Sequence, residues 1–212
     1  MNPKEIHFEN MAESILKQLD KRNMKGYYCK NASDAASLAL SLVQPNQTVA
    51  FGGSMTLNEI NLIDKLNSRS DIHLLNRNTA KTPQEAESIM FQSFQSDCYF
   101  MSTNAITTQG ELINVDGNGN RVASLICGPK RVVVIAGINK VVPTVEDGIR
   151  RVHLLAAPAN CVRLNCKTPC SKTGICLDCH SDDCICANTV ITRHSRKKDR
   201  IQVILVGEEL GY

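Results

Sequence analysis

The sequence predicts a three-layer α/β domain built on a mostly parallel sheet, with a cysteine-rich loop inserted before the last strands. Short apolar runs alternate with amphipathic segments of helical period along the 212 residues, a pattern typical of strands joined by crossover helices. Residues 131–136 are nearly all apolar, as expected for a strand covered on both faces. A chain of this length can bury a core without disulfides, so we predict one domain over residues 1–212.

The amino-terminal half is predicted to alternate between helices and strands. Apolar residues at helical spacing favour helices at about residues 8–24, 32–43 and 83–94. Apolar, β-rich runs favour strands at 27–29, 48–51, 72–75 and 98–103. The strand at 48–51 enters a glycine turn and then a further helix toward Leu66, for which Thr56 to Glu59 has the spacing of a capping box.

In the carboxyl-terminal half, two extended runs flank a glycine-rich turn at 117–119, which predicts a β-hairpin over residues 111–122. Asp116 and Arg121 fall inside that hairpin, so we interpret them as hairpin residues. Thr144 is placed to cap a helix whose first turn carries two acidic residues. After the cysteine-rich segment, strands are predicted at 189–192 and 201–206.

The amino-acid composition argues against nucleic-acid and membrane partners. A net charge of +3, a 4% aromatic content and the lack of tryptophan do not suit a nucleic-acid partner. The amino terminus mixes charges with apolar residues and is not typical of a signal peptide, and no apolar run reaches the length of a bilayer span. We therefore expect a cytoplasmic protein without a membrane partner. In that reducing compartment, clustered thiols indicate metal binding or redox chemistry rather than disulfides.

The glycine turn is the first candidate site. Small residues where a strand passes to a helix let free backbone N–H groups approach a phosphate, carboxylate or CoA-type group, although a tight turn with no ligand explains them equally well. The candidate binding residues at this turn are Gly52, Gly53, Ser54 and Thr56. Glu59 is a candidate catalytic base or nucleophile, with the capping acid as its alternative role.

Polar residues also follow two later strands. Asn104 comes after the strand at 98–103, and Asn139 and Lys140 come after the strand at 131–136. In a parallel sheet these side chains meet at one edge, where ligand groups are commonly bound. We therefore predict that all three contact a small anionic metabolite, with Lys140 neutralising its charge; the alternative is that each is a turn residue.

The segment 161–186 holds seven of the ten cysteines. Four of them lie within seventeen residues and are the predicted metal ligands: Cys170, Cys176, Cys179 and Cys186. Four thiolates suit zinc or a 4Fe-4S cluster equally by number, and the single C-x2-C pair favours the cluster. The other three thiols are alternative ligands, redox thiols or buried apolar residues: Cys161, Cys166 and Cys184.

Several ordered segments together resemble the lactate-utilization (LUD) domain family. They are 51–59 (FGGSMTLNE), 102–107 (STNAIT), 110–117 (GELINVDG), 120–122 (NRV) and 137–140 (GINK). The end of the chain is similar to a short, cysteine-rich subgroup described as iron-sulfur accessory proteins. The resemblance implies a fold akin to ribose-5-phosphate isomerase and CoA transferases, and a link to oxidation of L-lactate to pyruvate through an iron-sulfur complex.

Three functions remain open from the sequence. The first is a LUD-domain component of iron-sulfur-dependent lactate oxidation that binds a small anion and works with iron-sulfur oxidoreductase subunits. The second is an isomerase or acyl-transfer enzyme acting on a phosphorylated or CoA substrate through Glu59. The third is a non-enzymatic assembly or sensing protein that zinc stabilises. Whether the chain forms a homo-oligomer is also left open.

Overall fold

The computed structural model describes residues 2–212. Its α-helices are α1 (Pro3–Lys21), α2 (Ala32–Ser41), α3 (Met55–Glu59), α4 (Leu62–Asn67), α5 (Pro83–Ser93), α6 (Asn120–Ile126), α7 (Val145–Arg151), α8 (Ala157–Arg163) and α9 (Pro169–Thr173). Its strands are β1 (Lys25–Cys29), β2 (Thr48–Phe51), β3 (His73–Leu75), β4 (Cys98–Met101), β5 (Ala105–Thr107), β6 (Leu112–Asp116), β7 (Arg131–Gly137), β8 (Val141–Val142), β9 (Asn188–Thr192) and β10 (Ile201–Val206).

A six-stranded parallel sheet in the order β1-β10-β7-β4-β2-β3 forms the middle layer. Helices α2, α3 and α4 pack on one face, and their apolar side chains meet alternate residues of the strands, such as Phe100 and Ile135. Helix α1 and part of a second sheet cover the other face, around Tyr99 and Val134. The predicted three-layer, mostly parallel α/β class is confirmed.

The second sheet has the order β8-β5-β6-β9, in which β6 lies antiparallel to both β5 and β9. The hairpin predicted over residues 111–122 is therefore wrong, because the chain after β6 enters α6 instead of a return strand. Gly119 adopts a left-handed conformation (φ 78°), and its N–H donates to the Asp116 carboxylate at 2.9 Å. This turn leads into a helix, while β5 and β9 occupy both edges of β6.

The capping box predicted at Thr56 is also wrong. Ser54 is the N-cap of α3 and accepts a hydrogen bond from the Leu57 N–H at 3.4 Å. The predicted single helix is split at Asn61, whose left-handed conformation (φ 55°) separates α3 from α4. Thr56 and Glu59 therefore do not cap the helix; Thr56 instead contacts Lys140, and Glu59 contacts Gly211.

The cysteine-rich segment is partly helical rather than a simple loop. It begins within a continuous helix formed by α7, a π-helical turn over Val152–Ala156, and α8. Helix α9 follows, with Pro169 in its first turn and left-handed Gly174 at its end, two residues that favour a short helix at this place. Irregular backbone then leads to β9.

All six parallel strands end at one edge of the middle sheet. Among them, β2, β4, β7 and β10 deliver the segments that begin at residues 52, 102, 138 and 207. Ligands of such sheets commonly bind outside the carboxyl ends of the strands. Across residues 2–212, no helix has both the length and the apolar character that a membrane crossing requires.

Candidate functional site

A cleft of about 530 Å3 opens at this carboxyl edge, a volume within the usual range for small-molecule sites. One wall is formed by the glycine turn, the residues that follow β4, and the end of the chain, represented by Gly53, Ser102 and Gly211. A second wall is formed by α8 and the cysteine-rich segment, including Cys166 and Cys186. The glycine turn and the cysteine-rich segment therefore line a single cleft.

Lys140 lies at the buried end of the cleft and is only 3% exposed. Its Nζ donates hydrogen bonds to Thr56 Oγ1 at 2.9 Å and to Ser102 Oγ at 3.0 Å. No carboxylate of residues 2–212 forms an ion pair with it. Burial, and then the charges of Arg151 and Arg121, lower the pKa of Lys140 to about 7. The amine is therefore divided between ammonium and neutral forms near neutral pH.

Arg121 organises the part of the cleft beside Lys140. Its guanidinium donates to the Ser102 carbonyl at 3.0 Å, the Val115 carbonyl at 2.8 Å and Asn104 Oδ1 at 3.1 Å. It forms an ion pair with Asp116 at 3.2 Å and a further hydrogen bond to Asn114 Oδ1. Because these partners lie in β6 of the second sheet and just after β4 of the middle sheet, Arg121 fixes the two sheets relative to one another.

The last residues of the chain cross the carboxyl edge and complete the cleft. Asn139 holds them from both sides, since its Oδ1 accepts from the Leu210 N–H and its Nδ2 donates to the Gly211 carbonyl, both at 3.1 Å. Glu59 Oε2 accepts from the Gly211 N–H at 2.6 Å. Neither Asn139 nor Glu59 lines the cleft; both anchor the segment that does.

Of the predicted binding residues, five line the cleft: Gly53, Ser54, Thr56, Asn104 and Lys140. Gly52 lies beneath it, where an added Cβ would approach the Tyr99 hydroxyl to 2.9 Å, so the glycine is required by packing. Asn104 uses its Oδ1 to accept from Arg121 and from the Val115 N–H at 2.9 Å. The structure thus gathers most of the predicted set, and their contact with an anion stays a prediction.

The thiols fall into neighbouring groups. Cys161 and Cys170 are buried and interact with each other and with Thr168. Cys176 Sγ lies 3.1 Å from His153 Nδ1, and Cys179 Sγ lies 3.5 Å from Ser181 Oγ.

Burial is the main cause that raises the pKa of Cys186 to about 12, followed by the nearby thiols of Cys184, Cys161, Cys176 and Cys170. The hydrogen bond from Ser181 lowers the pKa of Cys179. Metal binding to Cys186 would therefore displace a proton, and its affinity would rise with pH.

By donor type alone, these thiols suit a thiolate-bound metal or cluster, because thiolates are common ligands of zinc and of iron-sulfur clusters. Across residues 2–212, no three His, Cys, Asp or Glu side chains are arranged around a common point. The predicted ligands Cys170 and Cys186 are neighbours, and Cys161 accompanies them. The ligand set stays a prediction.

Three contributors to the site were not among the predicted residues. Ser102 lay inside the strand predicted at 98–103, whereas β4 ends at Met101, so the rule that selected Asn104 missed it because the predicted strand was two residues too long. Arg121 was assigned to a hairpin that does not form. Gly211 reaches the cleft through contacts with residues far away in the sequence, for which no local pattern exists.

The chain is similar to a known family in sequence and to solved structures in fold. In sequence, the model of the LUD domain family matches residues 12–206. In structure, the chain is similar to a DUF162 family protein from Deinococcus radiodurans, with a TM-score of 0.53 and 12% identity over 94% of this chain and 98% of that one. At this identity the likeness concerns the fold alone. No curated protein matches the chain in sequence.

Two solved isomerases are more distant. Ribose 5-phosphate isomerase A from Methanocaldococcus jannaschii has a TM-score of 0.36 and 15% identity over 54% of this chain and 55% of that one. Ribose 5-phosphate isomerase from Plasmodium falciparum has a TM-score of 0.35 and 17% identity over 53% of this chain and 52% of that one.

Proposed function

The chain belongs to the LUD domain family, and we propose that it binds a small carboxylate of the lactate class above Lys140, as a component of an iron-sulfur-dependent lactate oxidation system. The observation that carries this proposal is the burial of Lys140 without an ion-pair partner at the end of a cleft. A buried ammonium is costly unless an anion compensates it. A bound carboxylate would supply that anion.

The groups around Lys140 suit a small carboxylate in particular. The Thr56 and Ser102 hydroxyls lie within 3.0 Å of Nζ and accept from the lysine. Their own protons point to the Leu210 carbonyl at 3.4 Å and the Thr103 carbonyl at 3.3 Å, long hydrogen bonds that a carboxylate oxygen would replace as the acceptor. Of the two cations beside Lys140, Arg121 is already committed to Asp116 and to carbonyl oxygens, and Arg151 donates to the Asn104 and Asn139 carbonyls. The compact charge of Lys140 at the buried end of the cleft therefore suits a single carboxylate there, while Arg77 and Arg163 also line the cleft.

The second wall is proposed to hold the metal group. Cys170, Cys176, Cys179 and Cys186 would bind a 4Fe-4S cluster, with zinc as the alternative. A bound cluster would supply one-electron transfer. Cys186 packs against Val115, Val152 and Ala157 and lines the same cleft as Lys140. Electrons would then pass to an iron-sulfur oxidoreductase subunit.

Titration calorimetry with L-lactate and with pyruvate tests the binding step. We expect both ligands to bind the wild-type protein at pH 6.5, where the ammonium form of Lys140 predominates. Because the pKa of Lys140 lies at about 7, affinity should fall as the pH rises above that value, by up to about tenfold per pH unit. Proton uptake on binding at pH 8 is the matching signature.

Acetamide, a neutral molecule of similar size, is the control ligand and should give no heat of binding. Failure of both carboxylates to bind at pH 6.5 would contradict the proposed function. An affinity for lactate that is the same at pH 6.5 and pH 8.5 would show that Lys140 is not the group that pairs with the carboxylate.

A further inference from the structure

We propose that Lys140 is a covalent catalytic residue, whose Nζ condenses with the carbonyl carbon of a 2-oxo acid to form an imine. This inference rests on the proposed function for the class of ligand, a small carboxylate. It goes beyond that function because it assigns a covalent step to the lysine and distinguishes a 2-oxo acid, which carries a carbonyl, from a 2-hydroxy acid, which does not.

Within residues 2–212, Nζ makes two hydrogen bonds, to Thr56 Oγ1 and Ser102 Oγ, so one of its three hydrogen-bonding positions is left for a ligand. Gly211 lies against the amine, because a Cβ at this residue would stand 3.2 Å from Nζ and 2.7 Å from Thr56 Oγ1. The glycine thus keeps clear a space next to the amine, and Asn139 and Glu59 hold the glycine in place.

The charges around Lys140 favour the nucleophilic, neutral form of the amine. The side chain is 3% exposed, and Arg121 and Arg151 both act against its protonation, whereas Glu59 opposes them more weakly. Desolvation and neighbouring cations are the usual means by which proteins activate a lysine for attack on carbonyl groups. The lysine and its hydroxyl neighbours line the cleft, so a ligand can reach them.

The step is a condensation without change of oxidation state. The Nζ lone pair forms a bond to the carbonyl carbon and the carbonyl π electrons move to oxygen; a proton then passes from the attacking nitrogen to that oxygen to give a carbinolamine. A second proton transfer to the hydroxyl expels water and leaves a protonated imine. The Ser102 hydroxyl, 3.0 Å from Nζ, can relay these protons by exchanging its 3.3 Å hydrogen bond to the Thr103 carbonyl for one to the substrate. The Thr56 hydroxyl can hold the carboxylate by exchanging its 3.4 Å hydrogen bond to the Leu210 carbonyl in the same way.

Reductive trapping tests this step. Wild-type protein is incubated with pyruvate and sodium borohydride, and intact-mass measurement should show a gain equal to pyruvic acid less one oxygen atom, assigned to Lys140 by peptide mapping. Trapping should increase from pH 6 to pH 8, opposite to the trend for lactate binding. L-lactate should give no adduct, because it carries no carbonyl group.

Two variants and their controls accompany the trapping experiment. Lys140→Met should abolish the adduct, whereas Lys130→Met, which removes an exposed lysine paired with Asp97, should leave it unchanged. Gly211→Ala keeps the lysine but fills the space beside it, and should reduce trapping by about tenfold or more. Gly174→Ala carries the same left-handed backbone penalty with no atom within 4 Å of its Cβ, so trapping should persist.

The outcomes separate this inference from the function on which it rests. Pyruvate that binds by calorimetry but gives no adduct, or adducts spread over exposed lysines, would overturn the imine and leave the carboxylate site intact. Absence of both binding and adduct would overturn both. Trapping on Lys140 of pyruvate alone supports the inference.

Discussion

Replacing Arg121 with methionine should lower the free energy of unfolding by about 3–5 kcal/mol, because removal of one partner leaves a buried charge uncompensated. The side chains of Arg121 and Asp116 are 14% and 9% exposed. Their ion pair is joined by hydrogen bonds from Arg121 to the Ser102 and Val115 carbonyls. Loss of the guanidinium therefore leaves the Asp116 carboxylate without its cation, with only the Gly119 N–H still donating to it, and removes a donor from two carbonyl oxygens. Chemical denaturation followed by circular dichroism measures the loss.

Arg200→Met is the matched control for this substitution. Arg200 donates to the carbonyls of Ser124, Leu125 and Pro129 at 2.7–2.9 Å and forms an ion pair with none of the carboxylates in residues 2–212, so its loss should be smaller, about 1–3 kcal/mol. Adding Asp116→Asn to Arg121→Met should recover part of the stability. A loss for Arg121→Met no greater than that for Arg200→Met would contradict the role given to the ion pair.

Replacing Lys140 with methionine should weaken the binding of L-lactate by about tenfold to a hundredfold, because the carboxylate loses a charge-assisted hydrogen bond worth roughly 1.5–3 kcal/mol. Methionine has nearly the length of lysine and no charge, so a buried ammonium is exchanged for an apolar group. Such exchanges are often neutral or stabilising. Calorimetry together with denaturation therefore distinguishes lost binding from lost folding.

Lys130→Met serves as the control, because Lys130 is exposed and its partner Asp97 precedes β4, at the opposite end of that strand from Ser102. This variant should bind L-lactate with wild-type affinity. If Lys140→Met bound lactate as well as the wild type does, the carboxylate site would have to be placed elsewhere.

The strands of the middle sheet could be predicted because burial on both faces leaves a clear apolar signal. Residues 201–206 were predicted with the bounds that the structure has, and the run at 131–136 differs from β7 by a single residue. The structure of the residues after β6 could not be predicted, because a glycine-rich turn can lead either into a return strand or into a helix. A return strand has no place beside β6, since β5 and β9 pair with its two edges.

Site residues that directly follow a buried strand could be predicted from the sequence. Site residues whose roles depend on contacts with distant parts of the chain could not. Polar residues after buried strands led to Asn104 and Lys140, which both line the cleft. The roles of Asn139 and Glu59 depend on Gly211, 72 and 152 residues away. No local pattern encodes such contacts. In the same way, the spacing of the cysteines could not reveal that Cys161 is buried beside Cys170.

The central claim is that a carboxylate bound at Lys140 faces a metal group held by the cysteine-rich wall of the same cleft. Anaerobic purification, metal and sulfide analysis, and visible absorption during a titration with L-lactate test this claim most directly. We expect a brown protein containing iron and sulfide, whose absorption changes as lactate saturates the cleft and does not change in Lys140→Met. The claim would be contradicted by a colourless protein with stoichiometric zinc, by a protein without metal, or by a cluster whose absorption does not change when lactate binds.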